Sequence, residues 1–311
     1  MADGRRFLDP KTLGKITRLD VRARLVVEGY LTGLHQSPYH GFAVEFASHR
    51  EYVPGDEIKH IDWKVWARND RLYIKEYEEE TNLRCTLILD CSRSMAYGGT
   101  GIQGGPTQGM SKFDYGATVS ACLAYLLQRQ QDAASLILFD NDIRLKLPSS
   151  THPSHLKLIL HELEQARTDG RSDISDAFRI LPEQLGKRGL VVLVSDLFVD
   201  LATLREALRH FRHRRHEVVV FHVLHDDELE FPFQDNTLFR GLEINRQLLA
   251  EPRALRRSYL EVLSRFLTQV RKCCADAGID YVRMSTADPL DAALSSYLAL
   301  RQRTIRTAHR R

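Results

Sequence analysis

The chain has 311 residues, of which 43% are hydrophobic and 27% charged, and those proportions exclude disorder as the default state. Lys plus Arg number 44 against 41 for Asp plus Glu, a net charge of +3, which gives no general attraction to nucleic acid or to an anionic membrane. The length fits one large domain or two smaller ones, with room for a buried core.

Residues 1–82 read as an amino-terminal region. A helix is predicted over 20–33, carrying Val21, Leu25, Val26 and Tyr30 on an apolar stripe. After it, FAVEFASHREYVPGDEIKHIDWKVWARNDRLYIKEYEEE is dense in charge and aromatics and holds both tryptophans, Trp63 and Trp66. Pro54-Gly55-Asp56 reads as a tight turn. Arg50, Asp56, Asp62, Arg68 and Lys75 recur beside Tyr52, Trp63, Trp66 and Tyr73. They suit either a clasp onto the rest of the chain or a docking face, with the clasp preferred.

Residues 83–305 alternate between strand and helix patterns. CTLILD (85–90) is a buried-strand run, and the Gly-rich stretch 98–109 is a surface loop to which no role is assigned. A helix is predicted over 112–131. SLILF (135–139) and IRLKL (143–147) flank Asp140-Asn141-Asp142 as a hairpin. Helices follow over 154–166 and 173–184, then the strand GLVVLVSD (189–196) and a helix over 201–213. EVVVFHVL (217–224), a helix over 253–276, DYVRMS (280–285) and a helix over 288–303 complete the series. This alternation predicts an α/β fold with a doubly wound, mainly parallel six-stranded sheet.

Two predicted strands end in an acid. Asp90 opens a D-x-S-x-S pattern with Ser92 and Ser94, and Asp196 closes the fourth strand. In a doubly wound order 3-2-1-4-5-6, strands one and four flank the crevice beyond the carboxyl ends, where ligands bind. Carboxylate and hydroxyl oxygens suit a hard cation, Mg²⁺ or else Mn²⁺ or Ca²⁺. Ser92 and Ser94 would ligate directly, and Asp90 and Asp196 directly or through waters. Neutral hydroxyls leave such an ion electrophilic towards a carboxylate from another protein. The plainer alternative is that both acids cap the helices after their strands.

LILDCSRSM, GRSDISDAF and VVLVSDL together resemble the metal-ion-dependent adhesion site of von Willebrand A domains. The resemblance implies Ser92, Ser94 and Ser172 as direct ligands, with Asp90 and Asp196 often acting through water. Ser172 stands where that family usually has threonine, and it is also placed to cap the helix that follows. The HREYVPGD and IDWK elements carry a closer resemblance, from about Leu13 to beyond Phe233, to a bacterial family of von Willebrand A-like proteins of unknown function typically encoded beside MoxR-type AAA+ ATPases. It implies a Rossmann-like von Willebrand A fold. It also implies a binding module, not an enzyme, that partners such an ATPase or an acidic client in chaperone-like assembly.

Other signals are weaker. Gly109-Met110-Ser111-Lys112 lacks the order of a phosphate-binding loop. The run 209–216 is basic but lies at a helix carboxyl end, where cations complement the dipole. His35, His40, His49 and His60 lack the close pair of a zinc site. A hydrolase acting on phosphate esters, with Asp90 as nucleophile, is the alternative function; dehalogenase-type phosphatases need a second Asp where Ser92 stands. Cys85, Cys91, Cys122, Cys273 and Cys274 show no paired spacing and read as buried free thiols of a reducing compartment. MADGRRFLDP lacks a signal core and no apolar run spans a bilayer, so a cytoplasmic location without a membrane span is expected.

Overall fold

The structure is a computed structural model that describes residues 13, 16, 18–34, 49–51, 73–75, 83–98, 110–168, 175–186, 188–242, 246–290 and 294–295. The chain divides into two compact units, one of Met1–Gly33 with Asn82–Arg311 and the other of Leu34–Thr81. In the smaller unit, β1 (His49–Glu51) and β2 (Tyr73–Lys75) pair antiparallel, with Arg50 opposite Ile74. Most of the charged and aromatic segment between them lies outside the described residues, and the expected clasp lies there with it.

The larger unit is built on six strands: β3 (Arg84–Asp90), β4 (Ala133–Phe139), β5 (Ile143–Ser150), β6 (Leu190–Ser195), β7 (Glu217–Leu224) and β10 (Asp280–Ser285). Their order is β10-β7-β6-β3-β4-β5. Every pair is parallel except β4 with β5, the predicted hairpin. Numbered along this sheet alone, that is the expected doubly wound order, with the first and fourth strands adjacent. The central strands read as near-continuous apolar runs because both faces are covered. Leu87, Leu89, Val192 and Val194 point into one core, and Ile88, Val191 and Leu193 into the other. Alternation of successive side chains across the strand makes this split.

Helices cover both faces. On one lie α1 (Leu19–Leu34), α2 (Lys112–Arg129) and α3 (Pro153–Gln165); on the other lie α4 (Ser175–Gln184), α5 (Leu201–His213) and the carboxyl-terminal part of α7 (Pro252–Asp276). Helix α1 was expected with the aromatic region but groups with the larger unit. Its Ala23, Val26 and Val27 are fully buried. Arg22 Nη1 donates to Thr118 Oγ1 at 3.1 Å, and Glu164 Oε1 accepts from the Leu19 amide at 2.9 Å. Helix α2 crosses the β3–β6 seam closely at Gly116, where a Cβ would stand 3.0 Å from both Leu89 and Val194 side chains. That approach sets the amino terminus of α2 over the carboxyl ends of β3 and β6.

Between β7 and α7 the chain forms a one-turn helix, α6 (Asp226–Glu230), and a small antiparallel hairpin, β8 (Thr237–Arg240) with β9 (Gln247–Ala250). Neither was visible in the sequence patterns. Strand β5 is the antiparallel edge of the main sheet; Arg144, Lys146 and Pro148 are exposed along it, and its pairing to β4 carries two register shifts. All five cysteines are free and buried, as expected. Of the helix expected over 288–303, only residues 294 and 295 of its helical part are described. Among the described residues no helix is long and apolar enough to cross a membrane.

Candidate metal centre

Asp90 is the last residue of β3, and Asp196 follows the last residue of β6 directly. Because β3 and β6 are parallel neighbours, with Leu89 opposite Val194, the two acids reach the same crevice. Both are fully buried. Ser92 and Ser94 lie in the tight turn after Asp90 and are also buried. Their hydroxyl oxygens are 3.0 Å apart. Ser172 lies outside the described residues. Four of the five expected oxygen-bearing side chains therefore gather at one strand-end crevice.

The Asp90 carboxylate is held by neutral donors. Its Oδ1 accepts from the Ser92 amide at 2.8 Å, and its Oδ2 accepts from the Ser195 hydroxyl at 2.6 Å. Ser195 in turn accepts from the Leu197 amide at 2.9 Å. Leu197 is held at φ 53°, a left-handed conformation that costs a leucine roughly 1 kcal/mol or more. This strained turn fixes the chain at the residue after Asp196. Burial, and then the charge of Asp196, push the Asp90 carboxyl up to about 7, against the opposing hydrogen bonds of Ser195 and Ser92.

Asp196 is held by a cation instead. Lys112, at the first turn of α2, donates to Asp196 Oδ2 at 2.8 Å and to Glu228 Oε1 at 2.7 Å, with its side chain 1% exposed. Its Nζ also lies 4.9 Å from the centre of the Phe198 ring. Burial works to lower the lysine pKa, but the two carboxylates outweigh it and hold the ammonium charged, above its ordinary value. The backbone of Asp196 is fixed too. His222 Nε2 lies 2.8 Å from the Asp196 carbonyl oxygen, and its Nδ1 lies 2.8 Å from the Tyr281 hydroxyl. A carbonyl only accepts, so Nε2 carries the proton and Nδ1 accepts from Tyr281. Burial pushes His222 down to about 4, so it is neutral at pH 7.

Glu228 belongs to α6, where its Oε2 accepts from the His225 amide at 2.8 Å and closes a capping box. Tyr97 donates to Asp227 Oδ2 at 3.0 Å, and Gly98, at φ 88°, passes so near His225 that a Cβ would stand 2.3 Å from the ring. The turn bearing Ser92 and Ser94 is thus tied to α6.

The donor set fits a hard divalent cation. Oxygens on adjacent vertices of an octahedron with bonds of about 2.1 Å stand about 3.0 Å apart, the separation of the two serine hydroxyls. Asp90, Asp196 and Glu228 against Lys112 leave the cluster short of positive charge. Among the described residues no three of His, Cys, Asp and Glu converge as ligands. Cys91, beside the turn, is inert: burial, then the charge of Asp90, drive its thiol pKa far up.

Ser195, His222 and Glu228 were not singled out in the sequence, and Lys112 was considered only as a phosphate-binding lysine and set aside. Lys112 left one clue, because a lysine in the first turn of a helix opposes the dipole and needs an acid nearby. Ser195 left none beyond its place before Asp196.

A family model described as "Protein of unknown function DUF58" matches residues 48–266, more than half of the chain. An uncharacterised protein of Mycobacterium bovis is 23% identical over 306 residues, covering 97% of this chain and 93% of that protein. Among solved structures, the conserved hypothetical protein BatB of Bacteroides thetaiotaomicron is similar, with a TM-score of 0.41 and 15% identity over 70% of this chain and 97% of that one. The VWA domain of SpRpn10 is similar with a TM-score of 0.38 and 8% identity, covering 69% of this chain and 94% of that domain.

Proposed function

We propose, from the premise that the chain belongs to the DUF58 family, that it is a cation-dependent protein-binding module and not an enzyme. Ser92, Ser94 and Ser172 would hold a Mg²⁺ ion, or Mn²⁺ or Ca²⁺, together with Asp90 and Asp196. The observation that carries the reading is the pair of buried serine hydroxyls 3.0 Å apart beside Asp90, in the same crevice as Asp196. A bound ion supplies an electrophilic vertex for a carboxylate oxygen of another protein.

The chain's own residues do the rest. Ser195 and the Ser92 amide orient Asp90 and leave each of its oxygens a further lone pair. Lys112 balances the charge of Asp196. His222 and Tyr281 lock the Asp196 backbone. The partner in this reading is a MoxR-type AAA+ ATPase, or a client of one, presenting an acidic side chain in chaperone-like assembly in the cytoplasm.

Manganese binding, followed by electron paramagnetic resonance, tests the cation. Saturable binding lost in Asp90→Ala and weakened in Ser92→Ala is expected; affinity unchanged in Asp90→Ala overturns the reading. A pull-down from native extract, with and without chelator, tests the partner. Capture of an AAA+ ATPase only without chelator is the expected result.

A further inference from the structure

The crevice opens into a cleft of about 460 Å³ whose lining combines the candidate metal edge with the β8–β9 hairpin. Ser94 and Lys112 come from the metal edge, Phe198 from the turn after Asp196, and Arg240, Arg246 and Leu248 from the hairpin. The hairpin is anchored, not free. Phe239 stacks on Phe231 at 5.7 Å between centroids and meets Phe233 edge-on at 5.3 Å. Phe231 also packs on Tyr259 at 4.6 Å, and the Tyr259 hydroxyl donates to the carbonyl of Glu228 at 2.9 Å. The same short helix that holds Lys112 through Glu228 is therefore joined to the hairpin by an aromatic cluster.

The cleft has a definite chemistry. Arg240 and Arg246 flank the hairpin turn, closed by the Gly241 amide donating to the Arg246 carbonyl at 2.8 Å. Both arginines are exposed, and their guanidinium groups make no hydrogen bond or ion pair among the described residues. Glu228 is the acidic residue of the lining, and it is already spent on Lys112. Phe198 and Leu248 are 43% and 59% exposed, large apolar surfaces left facing solvent. A site with two exposed guanidinium groups that have no side-chain partner among the described residues, two exposed apolar side chains and a carboxylate-seeking edge complements an acidic segment that also carries an apolar residue.

We infer that this cleft docks a short extended segment of a partner protein in which an apolar residue lies between two acidic ones. One carboxylate reaches the Ser94 edge, the other pairs with Arg240 and Arg246, and the apolar side chain packs against Phe198 and Leu248. The inference rests on the cation-dependent reading for its first contact and extends it with a second one, on an element outside the sheet.

The test uses the full chain and a fluorescein-labelled peptide containing Asp-Leu-Glu, with binding read by anisotropy in saturating Mn²⁺. Saturable binding is expected, weakened about tenfold or more in the R240A/R246A double variant. The Mn²⁺ affinity of that variant stays at the wild-type value, and circular dichroism shows an unchanged fold. Leu248→Asp also weakens the peptide and leaves the ion in place. The inference is overturned if the arginine variant binds as the wild type does, if a Lys-Leu-Lys peptide binds equally, or if a short oligonucleotide displaces the acidic peptide. It is overturned as well if Mn²⁺ binds and the acidic peptide does not. If Mn²⁺ itself fails to bind while the peptide still depends on the arginines, the cation reading falls and the cleft stands.

Discussion

At the Asp90 end of the crevice a buried carboxylate is held by an amide and a hydroxyl, whereas at the Asp196 end a buried carboxylate is held by an ammonium ion. Both acids end parallel strands and both are sealed from water. Neutral donors orient a charge without cancelling it, and burial, then the charge of Asp196, make the Asp90 carboxyl hold its proton more tightly against their pull. An ion pair cancels the charge but couples it to a partner that must be kept in place. The uncancelled negative charge is therefore concentrated at the Asp90 end, beside the two serines.

The largest expected effect breaks the Asp196 end. Lys112→Met removes one member of a buried ion pair and strands two carboxylates, which costs about 3–5 kcal/mol. Urea denaturation in chelator measures it, and Mg²⁺ should restore part of the loss by supplying the missing charge. A variant as stable as the wild type would show that the pair is not what neutralises Asp196.

The Asp90 end is sharpened next. Asp90→Asn keeps the side-chain shape and removes the charge, and Mn²⁺ affinity should fall on the order of 100-fold. The same variant reports on pH. The folded Asp90 carboxyl sits at about 7 against 3.8 ordinarily, so between those values the folded chain holds a proton that the unfolded chain has released. Its contribution to stability is complete below about pH 4 and is lost as pH rises through about 7. Denaturation midpoints of the cation-free protein should show this decline, and Asp90→Asn should remove it.

Ser94→Ala comes third, with about a tenfold loss of Mn²⁺ affinity if water replaces the hydroxyl, and little change in stability without metal. Tyr281→Phe is the smallest. It removes the hydroxyl that faces His222 Nδ1 and should cost about 1 kcal/mol in denaturation. A loss of Mn²⁺ affinity in that variant as large as in Ser94→Ala would place His222 and Tyr281 closer to the ion than their contacts indicate.

The sheet and the Asp90 half were legible for a physical reason. Runs such as CTLILD and GLVVLVSD are apolar because both sheet faces are covered, and an acid at the end of such a run stands out against that background. The order of strands then placed Asp90 beside Asp196. What escaped depends on contacts between distant segments. Lys112 was weighed only as a failed phosphate-binding lysine, whereas its charge is meant for Asp196 and Glu228, 84 and 116 residues away. The amphipathic pattern of α1 announced a buried face but not that α2 and α3 would cover it. Strands β8 and β9 are four residues each and more than half of their side chains are exposed, too short and too exposed for a periodicity to emerge. Their anchor, the Phe231, Phe233, Phe239 and Tyr259 cluster, spans a loop and a helix.

Strand β5 has its own consequence. With arginine, lysine and proline along that rim, and a kinked register behind it, a stray strand finds charge and a missing donor where it would need a smooth ladder. At high local concentration, copies of the chain have little reason to zip together along this side into fibres.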